Sequence, residues 1–199
     1  MWYFSHRARL AYLNVPKSAC TTIHFLLLAT ERPDEVRAAL AGADRPESVA
    51  WQLQYDMRDV LTPSKPLPDE CRDYLRFSFV RHPTKRIISG YLNKILMWKD
   101  DSEKIHEHDP DLFEKRYAPG GFRPQMPLEE FINRLHRAKP EIVNGHFRQQ
   151  TVFLTRGGQL QVDFVGRVER QGKPPTHPPR RCPRPDRHQT QCHTAPAAA

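Results

Sequence analysis

The sequence predicts an α/β domain in which a P-loop-like parallel sheet is flanked by helices. Three observations predict it. Apolar runs at Leu10–Val15, Leu75–Val80 and Val162–Val168 are bounded by loops, and helical patterns lie between them. The first two runs each pass through a short loop directly into a helix, the arrangement of parallel strands with crossover helices. Of 199 residues, 38% are hydrophobic and 10% aromatic, enough to bury a sizeable core.

Leu10–Val15 is a short buried strand. Thr21–Thr30 follows as a helix whose apolar face runs through Ile23, Leu26 and Leu27. Arg45–Leu61 has helical spacing through Val49, Leu53, Met57 and Leu61. Thr62–Asp69 holds three prolines and reads as a loop. Leu75–Val80 is the second strand, with Phe77, Phe79 and Val80 as its β-type residues. Pro83 opens the next helix at a first-turn position, where its missing N–H costs nothing, and Ile87, Ile88, Tyr91, Ile95 and Trp98 keep one face apolar. Lys99–Gln125 is a polar excursion over a site. Pro127–Lys139 is a helix with Leu128, Phe131, Ile132 and Leu135 facing inward, and Val162–Val168 is the last strand.

The chain changes character near Arg170. Residues 171–199 hold seven prolines and no Leu, Ile, Val, Phe, Tyr, Trp or Met. Such a segment cannot bury enough surface to offset its ordering entropy, so it reads as a Pro/Arg-rich disordered tail behind a domain at 1–170. The net charge of +8 is shared between the two parts, leaving the body mildly basic and suited to an anionic ligand. The longest apolar run, Phe25–Ala29, is far short of the ~18–20 residues of a membrane span. No basic head and apolar stretch mark a signal peptide, which favours a cytoplasmic location, or a Golgi lumen if the N-terminus is incomplete. Four scattered cysteines read as free thiols. The sequence does not specify an oligomeric state.

Two segments carry the chemistry. In Leu13-Asn-Val-Pro-Lys-Ser-Ala-Cys-Thr-Thr-Ile23 a strand ends, a tight loop follows and a helix begins. Helix N-terminal N–H groups beside small side chains form an anion cradle, to which Lys17 adds a charge and Ser18, Thr21 and Thr22 add hydroxyls. The layout is that of a phosphate-binding loop, but neither glycine of the G-x-x-x-x-G-K-[ST] pattern is present, which disfavours an ordinary ATP or GTP site. In Arg76-Phe-Ser-Phe-Val-Arg-His-Pro-Thr-Lys-Arg-Ile-Ile-Ser-Gly-Tyr91, Arg81 stands at the carboxyl end of a strand, where ligands of open α/β sheets bind. Ser89 lies two turns into the following helix, and the two converge on one phosphate, which a guanidinium fork grips bidentately. The competing reading pairs Arg81 and Arg86 with surface acids and leaves Ser89 solvated.

Together, PKSACTT after a strand and FVRHPTKRIISGYLNK resemble the two cofactor motifs of the sulfotransferases, most closely the carbohydrate branch. Asn144-Gly-His-Phe-Arg-Gln-Gln150 and Asp163-Phe-Val-Gly-Arg-Val-Glu169 resemble the family's later landmarks, so the similarity covers residues 10–169. The resemblance implies 3′-phosphoadenosine 5′-phosphosulfate (PAPS) as co-substrate, with no metal. Lys17, Ser18, Ala19, Cys20, Thr21 and Thr22 would surround the 5′-phosphosulfate, and Arg81 and Ser89 would take the 3′-phosphate. Lys17 would stabilise charge on the leaving oxygen. His146 is the first choice of general base, with His24, Glu31, Glu35 and Glu169 as alternatives and His82 as a loop-ordering residue. The acceptor implied is a carbohydrate hydroxyl. Family members continue past the VGRVE strand with further helices, so the C-terminal part of this domain reads as missing or replaced, leaving apolar surface at Val168 partly uncovered.

Other classes fit the same sequence. One is a non-catalytic truncated relic that still binds the nucleotide, and another is a P-loop nucleotide kinase. Nucleic-acid binding through Arg180, Arg181, Arg184 and Arg187 is disfavoured, because no aromatic residue is interleaved for base stacking. His106-Glu-His108-Asp carries ligand-type residues but reads as a solvated loop rather than a metal site.

Overall fold

The computed structural model describes residues 1–43, 49, 52, 53, 59–97 and 112–170. Most of the expected Arg45–Leu61 helix, the first part of the polar excursion with His106–Asp109, and the 171–199 tail lie outside the described residues.

The core is a four-stranded mixed sheet in the order β1-β2-β3-β6. Strands β2 (Leu10–Leu13), β3 (Leu75–Val80) and β6 (Phe164–Arg167) are parallel, with Tyr12 opposite Phe77 and Phe77 opposite Phe164. The expected parallel set is therefore present. The sheet also has an antiparallel edge strand that was not expected, β1 (Trp2–Ser5), paired to β2 from Trp2↔Leu13 to Ser5↔Leu10. The last strand is shorter than expected, because Val168–Arg170 turns into a single 3₁₀ turn. It is Phe164 rather than Val168 that stands out at the edge, 36% exposed.

Strand alternation sends side chains to two cores. On one face Ala11, Leu13 and Val15 join Trp2, Phe4, Cys71, Tyr74, Leu154 and Val162. On the other, Tyr12 packs on α1 (Cys20–Glu31) through Ile23, Leu27 and Leu28, and on α2 (Pro33–Ala41) through Val36. Leu26, expected on the buried face of α1, is 54% exposed, and Leu28 takes its place at 0%. A 3.6-residue period leaves either assignment of a Phe-Leu-Leu-Leu run open until the sheet selects one.

A third core forms around α3 (Pro83–Tyr91), the π-helical turn Leu92–Leu96 that continues it, α4 (Leu112–Arg116) and α5 (Leu128–Arg137). Phe113, Tyr117, Phe122 and Met126 are buried there. The described end of the excursion is thus packed structure, built from turns too short to show a period. On α5, Phe131 is fully buried, whereas Leu128 and Ile132 are each 42% exposed. A short helix α6 (Thr151–Leu154) and the hairpin of β4 (Thr155–Arg156) and β5 (Gln159–Leu160) lead into β6.

Gly90 allows α3 to approach the 144–148 segment. A Cβ there would stand 2.9 Å from the Phe147 ring and 3.4 Å from the His146 carbonyl oxygen. No described helix is long and apolar enough to cross a membrane.

Candidate active site

The loop after β2 achieves without glycine what such loops usually need glycine for. Lys17 and Ala19 both adopt left-handed backbone, at φ 65° and 63°. Each costs a non-glycine residue about 1 kcal/mol, so the surroundings must enforce the turn. Ser18, between them, is fully buried and donates its hydroxyl proton to Gln150 Oε1 at 3.2 Å. Ala19 caps α1 without a side-chain hydrogen bond, and the first turn holds no acid. The positive end of the helix dipole therefore meets no competing side-chain anion in its own first turn.

At the end of β3 the backbone of Arg81 is gripped from both sides. Gln150 Oε1 accepts its N–H at 2.9 Å, and Gln150 Nε2 donates to its carbonyl at 2.8 Å. One amide thus ties the Lys17 loop, the Arg81 strand end and the NGHFRQQ segment together. The next N–H, of His82, donates to Glu169 Oε1 at 2.8 Å, and this contact holds the Glu169 carboxyl below the usual carboxylate range.

Arg86 makes the second tie. The competing reading, in which Arg86 pairs with surface acids, does not hold in the structure. Arg86 is 2% exposed and donates to three backbone carbonyls: Nε to Pro16 at 2.8 Å, Nη1 to Arg148 at 2.7 Å and Nη2 to Gly145 at 2.9 Å. Burial lowers its pKa to about 10, so it stays charged at neutral pH.

These ties bring Lys17, Arg81 and Ser89 to one cavity of about 470 Å³, lined also by Thr84, Lys85, Ile88, Leu92, Asn93 and Met97. Among the described residues, three cations and no carboxylate line it. The Lys17 ammonium donates to Asn93 Oδ1 at 3.1 Å, and burial, then Lys94 and Arg81, push its pKa below the ordinary lysine value. Asn93 and Lys94 stand on the π turn, a feature often found at functional sites. Cys20, Thr21 and Thr22 begin α1 beside the loop but do not line this cavity. A cleft of about 1460 Å³ lies elsewhere, lined by Trp2, Lys65, Arg76 and Phe153 among others. It holds both signs of charge and none of the predicted site residues.

His146 is held by Asn144, whose Oδ1 lies 2.6 Å from the ring Nδ1 and accepts the His146 backbone N–H at 3.0 Å. Burial lowers its pKa to about 3, helped by Lys94, Lys17, Arg86 and Arg116. The competing bases are occupied elsewhere. The His24 ring packs on Tyr3 at 4.1 Å and faces Tyr12 at 5.8 Å. Glu31 accepts from Ser5 Oγ and the Arg7 N–H, and Glu35 pairs with Arg32. Sequence reasoning assigned no role to Gln150, Asn144, Asn93 or Lys94. Gln150 and Asn144 stand at the two ends of the NGHFRQQ segment, which was the only signal available for them.

The fold is an α/β unit whose mixed sheet carries, at the ends of its parallel strands, a cavity that three cations line among the described residues. The family model described as the sulfotransferase family matches residues 2–173, and the chain belongs to that family. Carbohydrate sulfotransferase 14 of Homo sapiens is 28% identical over 171 residues, covering 83% of this chain and 42% of that protein. The Danio rerio protein of the same name is 27% identical over 172 residues (81% and 42%). Carbohydrate sulfotransferase 11 of Rattus norvegicus is 26% identical over 182 residues (80% and 46%). The chain spans less than half the length of these relatives. No solved structure matches it.

Proposed function

We propose that residues 1–170 form a sulfotransferase unit that moves a sulfuryl group from PAPS to a carbohydrate hydroxyl. The observation that carries this is the convergence of Lys17, Arg81 and Ser89, from two distant segments, on one cavity where no described residue places a carboxylate. The residues present fit the donor. Arg81 and Ser89 offer a guanidinium fork and a hydroxyl to a 3′-phosphate, a group that ATP lacks. Lys17 and the start of α1, with Ser18, Ala19, Cys20, Thr21 and Thr22, offer charge and amides to the 5′ side. Ile88, Leu92 and Met97 supply an apolar wall.

The bound donor supplies an electrophilic sulfur. The acceptor hydroxyl gives its proton to His146 as its oxygen bonds to sulfur. Lys17 offsets the charge left on the departing phosphate oxygen, and adenosine 3′,5′-bisphosphate is the product. His146 is neutral at working pH and so has a ring lone pair to take the proton, while burial and its cationic neighbours make it a weak base until the negative charge of a bound donor offsets them. The carbohydrate acceptor is supported by the names of the relatives.

Radiolabelled sulfuryl transfer from PAPS onto a panel of glycans tests the proposal. Label should appear on at least one glycan and be lost in Lys17→Ala. Bisphosphate binding without transfer to any glycan would instead mark the chain as a nucleotide-binding relic.

A further inference from the structure

We infer that Asn144 is a positioning residue that sets the tautomer of His146, placing the ring proton on Nδ1 and leaving Nε2 as the basic atom. This rests on His146 being the base. The amide orientation follows from chemistry. The His146 backbone N–H, 3.0 Å from the Asn144 side chain, can only donate, so the atom it meets must be oxygen. The other end of the amide, Nδ2, points at the Arg116 carbonyl at 3.4 Å and can only donate there. An oxygen 2.6 Å from His146 Nδ1 then requires a proton on Nδ1, because two acceptors cannot share that distance. Nε2 keeps its lone pair and makes no hydrogen bond to a described residue.

The surroundings preserve this state. The charged groups that act on the ring are Lys17 from the loop after β2, Arg86 from α3, Lys94 from the π turn and Arg116 from the end of α4. All four are cations and oppose a second ring proton. No carboxylate among the described residues offsets them. Asn144 fixes the ring without adding charge, whereas an aspartate there would fix the same tautomer and make the ring more basic.

The test is nitrogen-15 NMR of the full chain labelled at histidine, with the His146 signals identified by their absence in His146→Gln. The ring nitrogens of the wild type should report the Nδ1–H tautomer at neutral pH. Asn144→Ala should lose that preference and lower kcat by roughly tenfold or more, with little change in the KM for PAPS. Asn144→Asp should retain Nδ1–H and move the acidic limb of the kcat–pH profile upward. A proton on Nε2 in the wild type, or an Asn144→Ala protein with tautomer and kcat unchanged, overturns the inference. His146→Gln with full kcat would remove the base assignment by itself, whereas the wild-type tautomer is read without turnover. Were Asn144→Ala unfolded, the wild-type and Asn144→Asp spectra would still decide the matter.

Discussion

The side-chain amide of Gln150 bonds both backbone polar groups of Arg81, accepting its N–H at 2.9 Å and donating to its carbonyl at 2.8 Å. The same oxygen accepts from Ser18. The two cavity-lining segments are therefore held in register by a residue that lines neither side of the cavity. Gln150→Glu keeps the acceptor but loses the donor and adds negative charge near an anion site. Adenosine 3′,5′-bisphosphate should then bind roughly tenfold or more weakly, by calorimetric titration, given ~1–3 kcal/mol for an unmade buried bond. Unchanged affinity would show that Arg81 is held by other means.

Arg86 is a stability residue beside the site. Arg86→Met should lower unfolding free energy by roughly 2–4 kcal/mol, since three carbonyls of Pro16, Gly145 and Arg148 lose their donors at once. Arg86→Lys should recover only part of this, because an ammonium cannot reproduce the planar fork. Denaturant unfolding monitored by circular dichroism measures both.

The pH dependence of stability follows from His146. Its folded pKa of about 3 lies below the ordinary 6.5, so the unfolded chain takes up a proton first as pH falls. The stability linked to this ring is complete above pH 6.5 and drains away as pH drops toward 3. Thermal unfolding of the wild type should therefore lose more between pH 7 and 5 than that of His146→Gln, in a range above most carboxylate titrations. Parallel curves for the two proteins would contradict the ring's buried, neutral state.

Gly90→Ala tests the close approach of α3 to the 144–148 segment. Its Cβ would meet the Phe147 ring at 2.9 Å, and that ring is packed among Tyr117, Phe122 and Phe131. A helical Gly→Ala change normally stabilises, whereas here overpacking should cost roughly 1–3 kcal/mol. A rise in Tm would show that Phe147 yields freely.

The parallel strands and the two segments that meet at the cavity were legible because they are local: an apolar run, a loop and a helix start follow one another in the chain. What escaped was set by distant partners. Trp2–Ser5 becomes a strand only because β2 pairs with it, and Ser64 bonds Trp2 on its other side. Arg86 reads as a surface residue until Pro16, Gly145 and Arg148 close around it. Gln150 and Asn144 act through amides whose partners lie on other segments or in a turn, and no period or spacing announces that. The face of α1 was misjudged by one residue because four successive apolar side chains offer two stripes, and the sheet chose Leu28 over Leu26.

Lys17, Arg81 and Ser89 are proposed to form one site for a 3′-phosphorylated nucleotide. Thermal stability of the chain with adenosine 3′,5′-bisphosphate, against AMP and against ATP with Mg²⁺, tests it most directly. At about 100 times its Kd a ligand adds roughly 2.7 kcal/mol, a clear rise in Tm. The bisphosphate alone should give this rise, and Arg81→Ala should abolish it. Equal stabilisation by AMP, or stabilisation by ATP with Mg²⁺ in place of the bisphosphate, would contradict it.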